Sequence, residues 1–500
     1  MSGAPNRVVI VGRDAALWLS AAVLRAALAP AGVSVTAIEL PSRLTQASVH
    51  ATLPALEALH NLLGLDESSL MAGVGGTFAL GANFTNLTGQ APAFFHAHGA
   101  HGAPIDGRDF FPYWLKARGL GLNAEFADFS LMAAAAKHGR FVMPDEETEI
   151  FGRADYGYHL PALAYAGTLK SLAVRRGVEA YQALSVGVQR SESGDVAAID
   201  LGEGRWIAGD LFIDATGIEG LLIGGARESW RDAFPSDRVM TALAPSFPSI
   251  PAYAEIRAWA RGWTALHPTQ NHTHIVQVYA SDLCTDEEAL QAASAASSLP
   301  VKDAAVRISD PGRRLSAWTG NVVAIGEAAC AFDPLLDVDL HAIQMGLVQL
   351  LALFPVSSDW TYERRAYDAA MREQFERVRD FQQGHYALNR YGASDFWTRA
   401  RQAPASPELA QRLALFRARG EIAPFEHDSF SHDSWRALFV GHDLVPDSHA
   451  PMIDATAPEL MKHEFRRILT FIKDQVERQP THDLYLESFC GRVPPEPAHG

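Results

Sequence analysis

Arg7-Val-Val-Ile-Val-Gly-Arg-Asp-Ala-Ala-Leu17 is the stretch whose reading decides the fold. Its β-branched run from Arg7 to Val11 has strand character, and the apolar and small residues from Ala15 to Leu28 read as a largely buried helix. A second strand, Val33 to Leu40, carries an acid near its end at Glu39. Strand, helix and strand at this spacing form a βαβ unit, the opening of a dinucleotide-binding domain.

Downstream, no Asp, Glu, Lys or Arg occurs from Ser68 to Ile105, and Thr77 to Leu87 alternates with period two. That predicts strands and loops packed on the core. Val186 to Asp200 predicts a hairpin, and Leu211 to Asp214 a strand running into Ala215-Thr-Gly217. Val322 to Ile325 predicts a strand stopping at Gly326, and a helix should start near Asp339 and end before Pro355. Charged and apolar residues alternate at helical spacing from Tyr362 to about Ala400, while Pro404, Pro407, Pro446, Pro451 and the run 494–497 mark loops. The expectation is an α/β chain with a dinucleotide-binding-like core over residues 1–355 and a mainly helical region over 356–500.

The chain has 500 residues, 48% apolar and 20% charged, which is the composition of a folded globular protein of two or three units. Lys plus Arg number 42 and Asp plus Glu 58, a net charge of −16 that repels phosphate backbones and anionic lipid. Arg175-Arg176, Arg313-Arg314 and the arginines from Arg372 to Arg379 are short clusters among acids, so neither a nucleic acid nor a membrane is expected as a partner. Cys284, Cys330 and Cys490 form no CxxC pair, which removes a disulfide framework and a zinc cluster. No signal-peptide pattern precedes Arg7, and the longest early apolar run, Ala15 to Leu24, is too short to span a bilayer. A cytoplasmic protein is expected.

Three clusters invite a metal reading. His96, His98 and His101 lie in a glycine-rich loop; His267, His272 and His274 could share a strand; Asp333, Asp337 and Asp339 could hold a hard cation or cap the next helix. Each is better read as structural. No Gly-x-Ser-x-Gly and no phosphate-binding Walker loop supports a hydrolase or a nucleotide triphosphatase.

The order of Tyr156-Gly-Tyr-His159, Asp210-Leu-Phe-Ile-Asp-Ala-Thr-Gly217, Gly220-Leu-Leu-Ile-Gly224, Gly262-Trp263 with Pro268, Gly326-Glu-Ala-Ala329, Asp333-Pro-Leu335 and Asp395-Phe-Trp397 resembles the flavin-dependent tryptophan halogenase family. That family is a branch of the flavin monooxygenases. The resemblance implies a Rossmann-type FAD core, a β-rich substrate region and a helical C-terminal part. It also implies FAD as cofactor, and a lysine beside a glutamate that delivers hypohalous acid to an indole.

Against that pattern the chemistry-bearing residues are missing. The family's Gly-x-Gly-x-x-Gly falls on Gly12, Asp14 and Leu17, so only the first glycine survives. Asp14 sets a carboxylate where phosphate would meet a helix N-terminus, a like-charge cost on the order of 4 kcal/mol at 4 Å and an effective dielectric near 20. Arg13 could offset part of this, or Asp14 could simply be the N-cap of the following helix. The family's glycine-rich loop reads Ala47-Ser-Val-His-Ala-Thr-Leu-Pro54, its lysine position is Ala79 in Thr77-Phe-Ala-Leu-Gly81, and its glutamate position is Leu336 in Leu336-Asp-Val-Asp339. No catalytic residue is therefore assigned. Asp337 and Asp339 add negative potential where halide would bind.

The degenerate cofactor set is Gly12, Arg13, Glu39, Gly217, Gly326 and Glu327, so FAD binding is expected to be weak or absent. The retained pocket residues are Trp263, His267, Pro268, Phe396 and Trp397, with Tyr386 near them. The function expected is a halogenase-like protein incompetent for halogenation that binds an aromatic small molecule, an aromatic peptide side chain or an intact paralogue, as a homodimer or heterodimer. The alternative is a flavin-dependent oxidoreductase or monooxygenase that still binds FAD.

Overall fold

The computed structural model describes residues 3–86, 93–143 and 154–491. The proline run at 494–497 and the end of the alternating stretch at Leu87 lie outside them. The chain forms two compact units, each assembled from three segments: Met1–Val74, Leu160–Asp232 and Ile308–Arg379 in the first, and Gly75–His159, Ala233–Arg307 and Asp380–Gly500 in the second. The third segment of the first unit thus runs past residue 355.

In the first unit, β1 (Arg7–Gly12), α1 (Asp14–Leu28) and β2 (Ser34–Glu39) form the expected βαβ unit. They belong to a six-stranded sheet ordered Trp318–Thr319, Val322–Ala324, Leu211–Ala215, β1, β2, Glu179–Gln182. Val8 lies opposite Leu211 on one side and Val35 on the other, both parallel. Such a strand is covered on both faces, which is why Val8 to Val11 is a continuous apolar run. The chain leaves β1 toward β2 on one side and reaches Leu211–Ala215 on the other, so a crevice opens at the carboxyl ends of these strands. The window Asp14–Ala31 is long and apolar enough to pass for a membrane span, against the expectation that no such run exists. It contains the βαβ crossover helix, ten of whose side chains are buried in the unit.

The second unit is built on a seven-stranded sheet ordered Lys302–Ile308, Arg238–Pro245, His272–Tyr279, Gly262–Pro268, Ala254–Trp259, Gly81–Asn86, Phe94–Ala97. The helices Asp395–Gln402, Pro407–Arg419, His432–Gly441, Pro458–Arg478 and His482–Cys490 follow, as the helical spacing predicted for the last third. The alternating stretch from Thr77 is two strands, not one. Thr77–Ala79 pairs with Gly157–His159, and Gly81–Asn86 joins the large sheet. The break is Gly81, at φ +152°, where a Cβ would come within 2.2 Å of the His96 carbonyl oxygen.

Candidate functional site

At the crevice of the first unit, Gly12 closes β1 against Ala215, whose carbonyl oxygen a Cβ would meet at 2.5 Å. Asp14 is not the N-cap of α1. Arg13 holds that position in extended conformation, and Asp14 is the first helical residue at φ +56°. Asp14 is thus an L-residue held in the left-handed region, at a cost of about 1–2 kcal/mol. The Asp14 carboxylate accepts from the Arg43 amide at 3.3 Å. Leu17, at the third glycine position, is fully buried.

Glu39 ends β2 with its carboxylate in use. It accepts from the Trp18 indole at 3.0 Å, from Lys170 Nζ at 2.6 Å and from Gln182 Nε2 at 2.9 Å. Burial would raise this carboxyl, and the bonds from Lys170, Gln182 and Trp18 outweigh it and hold the group below its usual range. Arg43 pairs with Glu219 at 2.6 Å. From the point where a Gly217 Cβ would sit, Glu219 lies 3.4 Å, Glu327 3.7 Å and Arg43 3.8 Å away. Burial lowers the Arg13 guanidinium and Arg43 adds to it, while Glu219, Asp14 and Glu327 oppose. Arg13, Asp14, Arg43, Glu219 and Glu327 therefore gather at one place.

Arg314 shapes the same region. It donates to the carbonyls of Ala328, Gly224, Gly225, Ile218 and Glu219 at 2.6–3.1 Å, tying the loop after Gly217 to the Gly326–Ala328 turn. Gly326 takes φ +64° there. Leu336 and Asp337 are consecutive left-handed residues at φ +68° and +42°. The Asp337 carboxylate accepts from the Ala51 amide at 2.7 Å, and Asp333 from the Leu335 amide at 3.0 Å. Asp339 opens the next helix behind Val338, so none of the three aspartates occupies its N-cap position. His50, in the loop that replaces the glycine-rich segment, has both ring nitrogens buried without a hydrogen bond, and burial pushes it down to about 4.

In the second unit, Ala79 is buried on its strand opposite Gly157. Two residues earlier, Thr77 Oγ1 donates to the Pro268 carbonyl at 2.5 Å, and His159 Nδ1 donates to the same oxygen at 3.1 Å. The His159 and His267 rings lie 5.2 Å apart, and His267 faces His274 across the strand pair. Burial drives His267 down to about 3, with His274 adding to it. Trp263 donates to the Tyr386 hydroxyl at 2.7 Å, and Tyr386 stacks with Trp397 at 6.1 Å. Trp397 donates to the Trp259 carbonyl and meets Phe396 edge-on at 4.9 Å. Trp263, His267, Pro268, Phe396 and Trp397 are all buried, and the indole nitrogens of Trp263 and Trp397 have partners within the unit.

Of the histidine-rich loop, His96 is buried on its strand and His101 stacks on Phe126 at 4.5 Å. None of the three clusters singled out in the sequence brings three ligand atoms within 4.8 Å of one another. Lys170, Gln182, Arg43, Glu219 and Arg314 carry no sequence signal for their roles. Lys170 and Gln182 are 131 and 143 residues from the acid they bind.

The architecture is that of known flavin-dependent halogenases. BrvH from Brevundimonas sp. BAL3 superposes with a TM-score of 0.90 at 30% identity, covering 97% of this chain and 99% of that one. Xcc4156 from Xanthomonas campestris gives 0.92 at 29%, covering 98% and 100%. The model of the family described as tryptophan halogenase matches residues 7–458. The tryptophan 6-halogenase SttH of Streptomyces toxytricini is 26% identical over 98% of this chain and 99% of its own length. The fold is thus the flavin-dependent halogenase fold. This chain belongs to the tryptophan halogenase family.

Proposed function

We propose that this halogenase-family chain does not halogenate and serves as a binding module for an aromatic ligand, either a small molecule or an aromatic side chain of a peptide. The observation that carries the reading is Ala79, a buried methyl on the strand where the family pattern has its lysine. It offers neither a nucleophile nor a proton. Leu336 likewise replaces the glutamate.

The residues at the crevice do not fit a dinucleotide. Leu17 fills the close-packing glycine position, Asp14 presents a carboxylate where a diphosphate would sit, and Glu39 already accepts three bonds. No step through FAD is derived. Trp263, Tyr386 and Trp397 remain as one contiguous group of rigid aromatic side chains, buried within the second unit, and it is this retained group that supports an aromatic ligand.

Purified protein supplied with excess reduced FAD, oxygen, bromide and tryptophan is expected to form no bromotryptophan above a no-enzyme control. Thermal-shift screening with indoles and Trp-containing peptides should find a stabilising ligand. A second reading, a flavin-dependent oxidoreductase, is favoured by the kept turns at Gly12, Gly217 and Gly326. Stoichiometric flavin absorbance after desalting would establish it in place of the first.

A further inference from the structure

We infer that this protein has closed its own nucleotide crevice: the Lys170–Glu39 and Arg43–Glu219 ion pairs stand where the ribose and the diphosphate of a dinucleotide would be held. The inference rests on the reading above that FAD binding is weak. It adds the residues that keep the cofactor out.

An acid at the end of the second strand of this fold takes ribose hydroxyl donors. A carboxylate has about four acceptor positions, and Trp18, Lys170 and Gln182 use three of those on Glu39. One position is left, so a ribose bound through two hydroxyls would displace one of these donors, of which Lys170 at 2.6 Å is the charged one. At the other half of the crevice, the first turn of α1 is where a diphosphate gains from the helix dipole and free amides. The Asp14 carboxylate already sits there and holds the Arg43 amide, while the Arg43 guanidinium is spent on Glu219. Glu327 converges on the same Gly217 position. The group therefore sets three carboxylates against two guanidiniums: Arg43 is paired with Glu219, and Arg13 donates to the Pro41 carbonyl at 3.0 Å within the field of Glu219, Asp14 and Glu327.

Both ion pairs are partly exposed, the Lys170 and Glu39 side chains 36% and 21% and the Arg43 and Glu219 side chains 51% and 39%. Such pairs are individually weak, so releasing each should tighten nucleotide binding by about two- to fivefold rather than by orders of magnitude. Lys170→Met frees Glu39. Asp14→Gly with Glu219→Gln removes two carboxylates and leaves Arg43 for phosphate, and glycine suits the φ of +56° at position 14.

The test is titration of FAD and of AMP into wild type, Lys170→Met, Asp14→Gly/Glu219→Gln and the triple variant, by fluorescence and calorimetry at low salt. The expected result is weak binding by wild type, a gain of about two- to fivefold for both nucleotides in Lys170→Met, a gain for FAD in the double variant, and the largest gain in the triple. Should the triple variant misfold, Lys170→Met alone, changed at a surface side chain, still decides through AMP. Variants with wild-type circular dichroism and melting temperature but unchanged affinity would overturn the self-closure while leaving the weak-FAD reading intact. Low-micromolar FAD binding by wild type would overturn that reading as well.

Discussion

The indole N–H of Trp263 donates to the Tyr386 hydroxyl at 2.7 Å within the second unit, and Phe234 meets the Tyr386 ring edge-on at 5.4 Å. Trp263→Phe keeps a ring and deletes one buried hydrogen bond, so a loss of about 1–3 kcal/mol is expected in urea unfolding. Trp263→Ala should cost about 3–5 kcal/mol through the cavity it leaves. Tyr386→Phe removes the same bond, and the double variant should lose less than the sum of the two. If the indole also touches ligand, Trp263→Phe will weaken the ligand-induced thermal shift beyond what its own melting point accounts for.

Acid should destabilise the second unit well above the carboxylate range. Burial holds His96, His267 and His442 at about 3, and His159 and His385 well below their ordinary value. In the unfolded chain these imidazoles titrate near 6.5. The stabilising contribution is therefore complete above about pH 6.5 and is lost as pH falls below it, because the unfolded state takes up protons that the folded state refuses. Each such histidine contributes up to about 1.4 kcal/mol per pH unit in that window. The His385 and His442 rings lie 5.6 Å apart, and His385 stacks on Phe84 at 4.6 Å. His385→Phe with His442→Phe should flatten the fall in urea midpoint between pH 7 and pH 5. An unchanged slope would show that other groups set the acid sensitivity.

The βαβ opening was legible because β1 is covered on both faces and its apolar run is continuous. The large sheet of the second unit was read only as a β-rich region, since Gly262–Pro268 is buried at every position and shows no period of two. One break was missed at Gly81, where the close approach of the His96 carbonyl splits an alternating run into two strands. At the crevice the lost glycines were visible as letters, but the meaning of Asp14 was not. The expectation of an N-cap treats the residue as local, whereas Asp14 takes a left-handed conformation inside the helix start and its carboxylate accepts from the Arg43 amide. The engagement of Glu39 depends on side chains from Lys170 and Gln182, which no local pattern links to it.

Arg314 should prove essential to the first unit. Its guanidinium serves five backbone carbonyls, and Gly220 has no room for a Cβ because Arg314 Nη2 would lie 2.1 Å from it. Arg314→Met strands those carbonyls and should cost more than about 3 kcal/mol. Arg314→Lys restores the charge but not the planar fork, so it should recover only part of the loss. Limited proteolysis reads the same effect locally, with new cleavage expected between Gly217 and Gly225.

Restoring the two family residues should not restore halogenation. Ala79→Lys places an amine on a buried strand position, where desolvation lowers its pKa and favours the neutral form. Leu336→Glu sets a carboxyl at φ +68° next to Asp337 at φ +42°, two left-handed residues in a loop whose path is already fixed by the bond from the Ala51 amide to Asp337. Asp337 and Asp339 keep negative potential beside any halide, and Asp14, Glu219 and Glu327 remain at the crevice. The expected outcome for Ala79→Lys/Leu336→Glu, assayed by mass spectrometry with excess reduced FAD, tryptophan and bromide, is no bromotryptophan above the no-enzyme control. Product from this double variant would mean that two side chains were all that separated the chain from its family's chemistry. Product appearing only when Asp14→Gly, Glu219→Gln and Lys170→Met are added would place the barrier at the crevice instead.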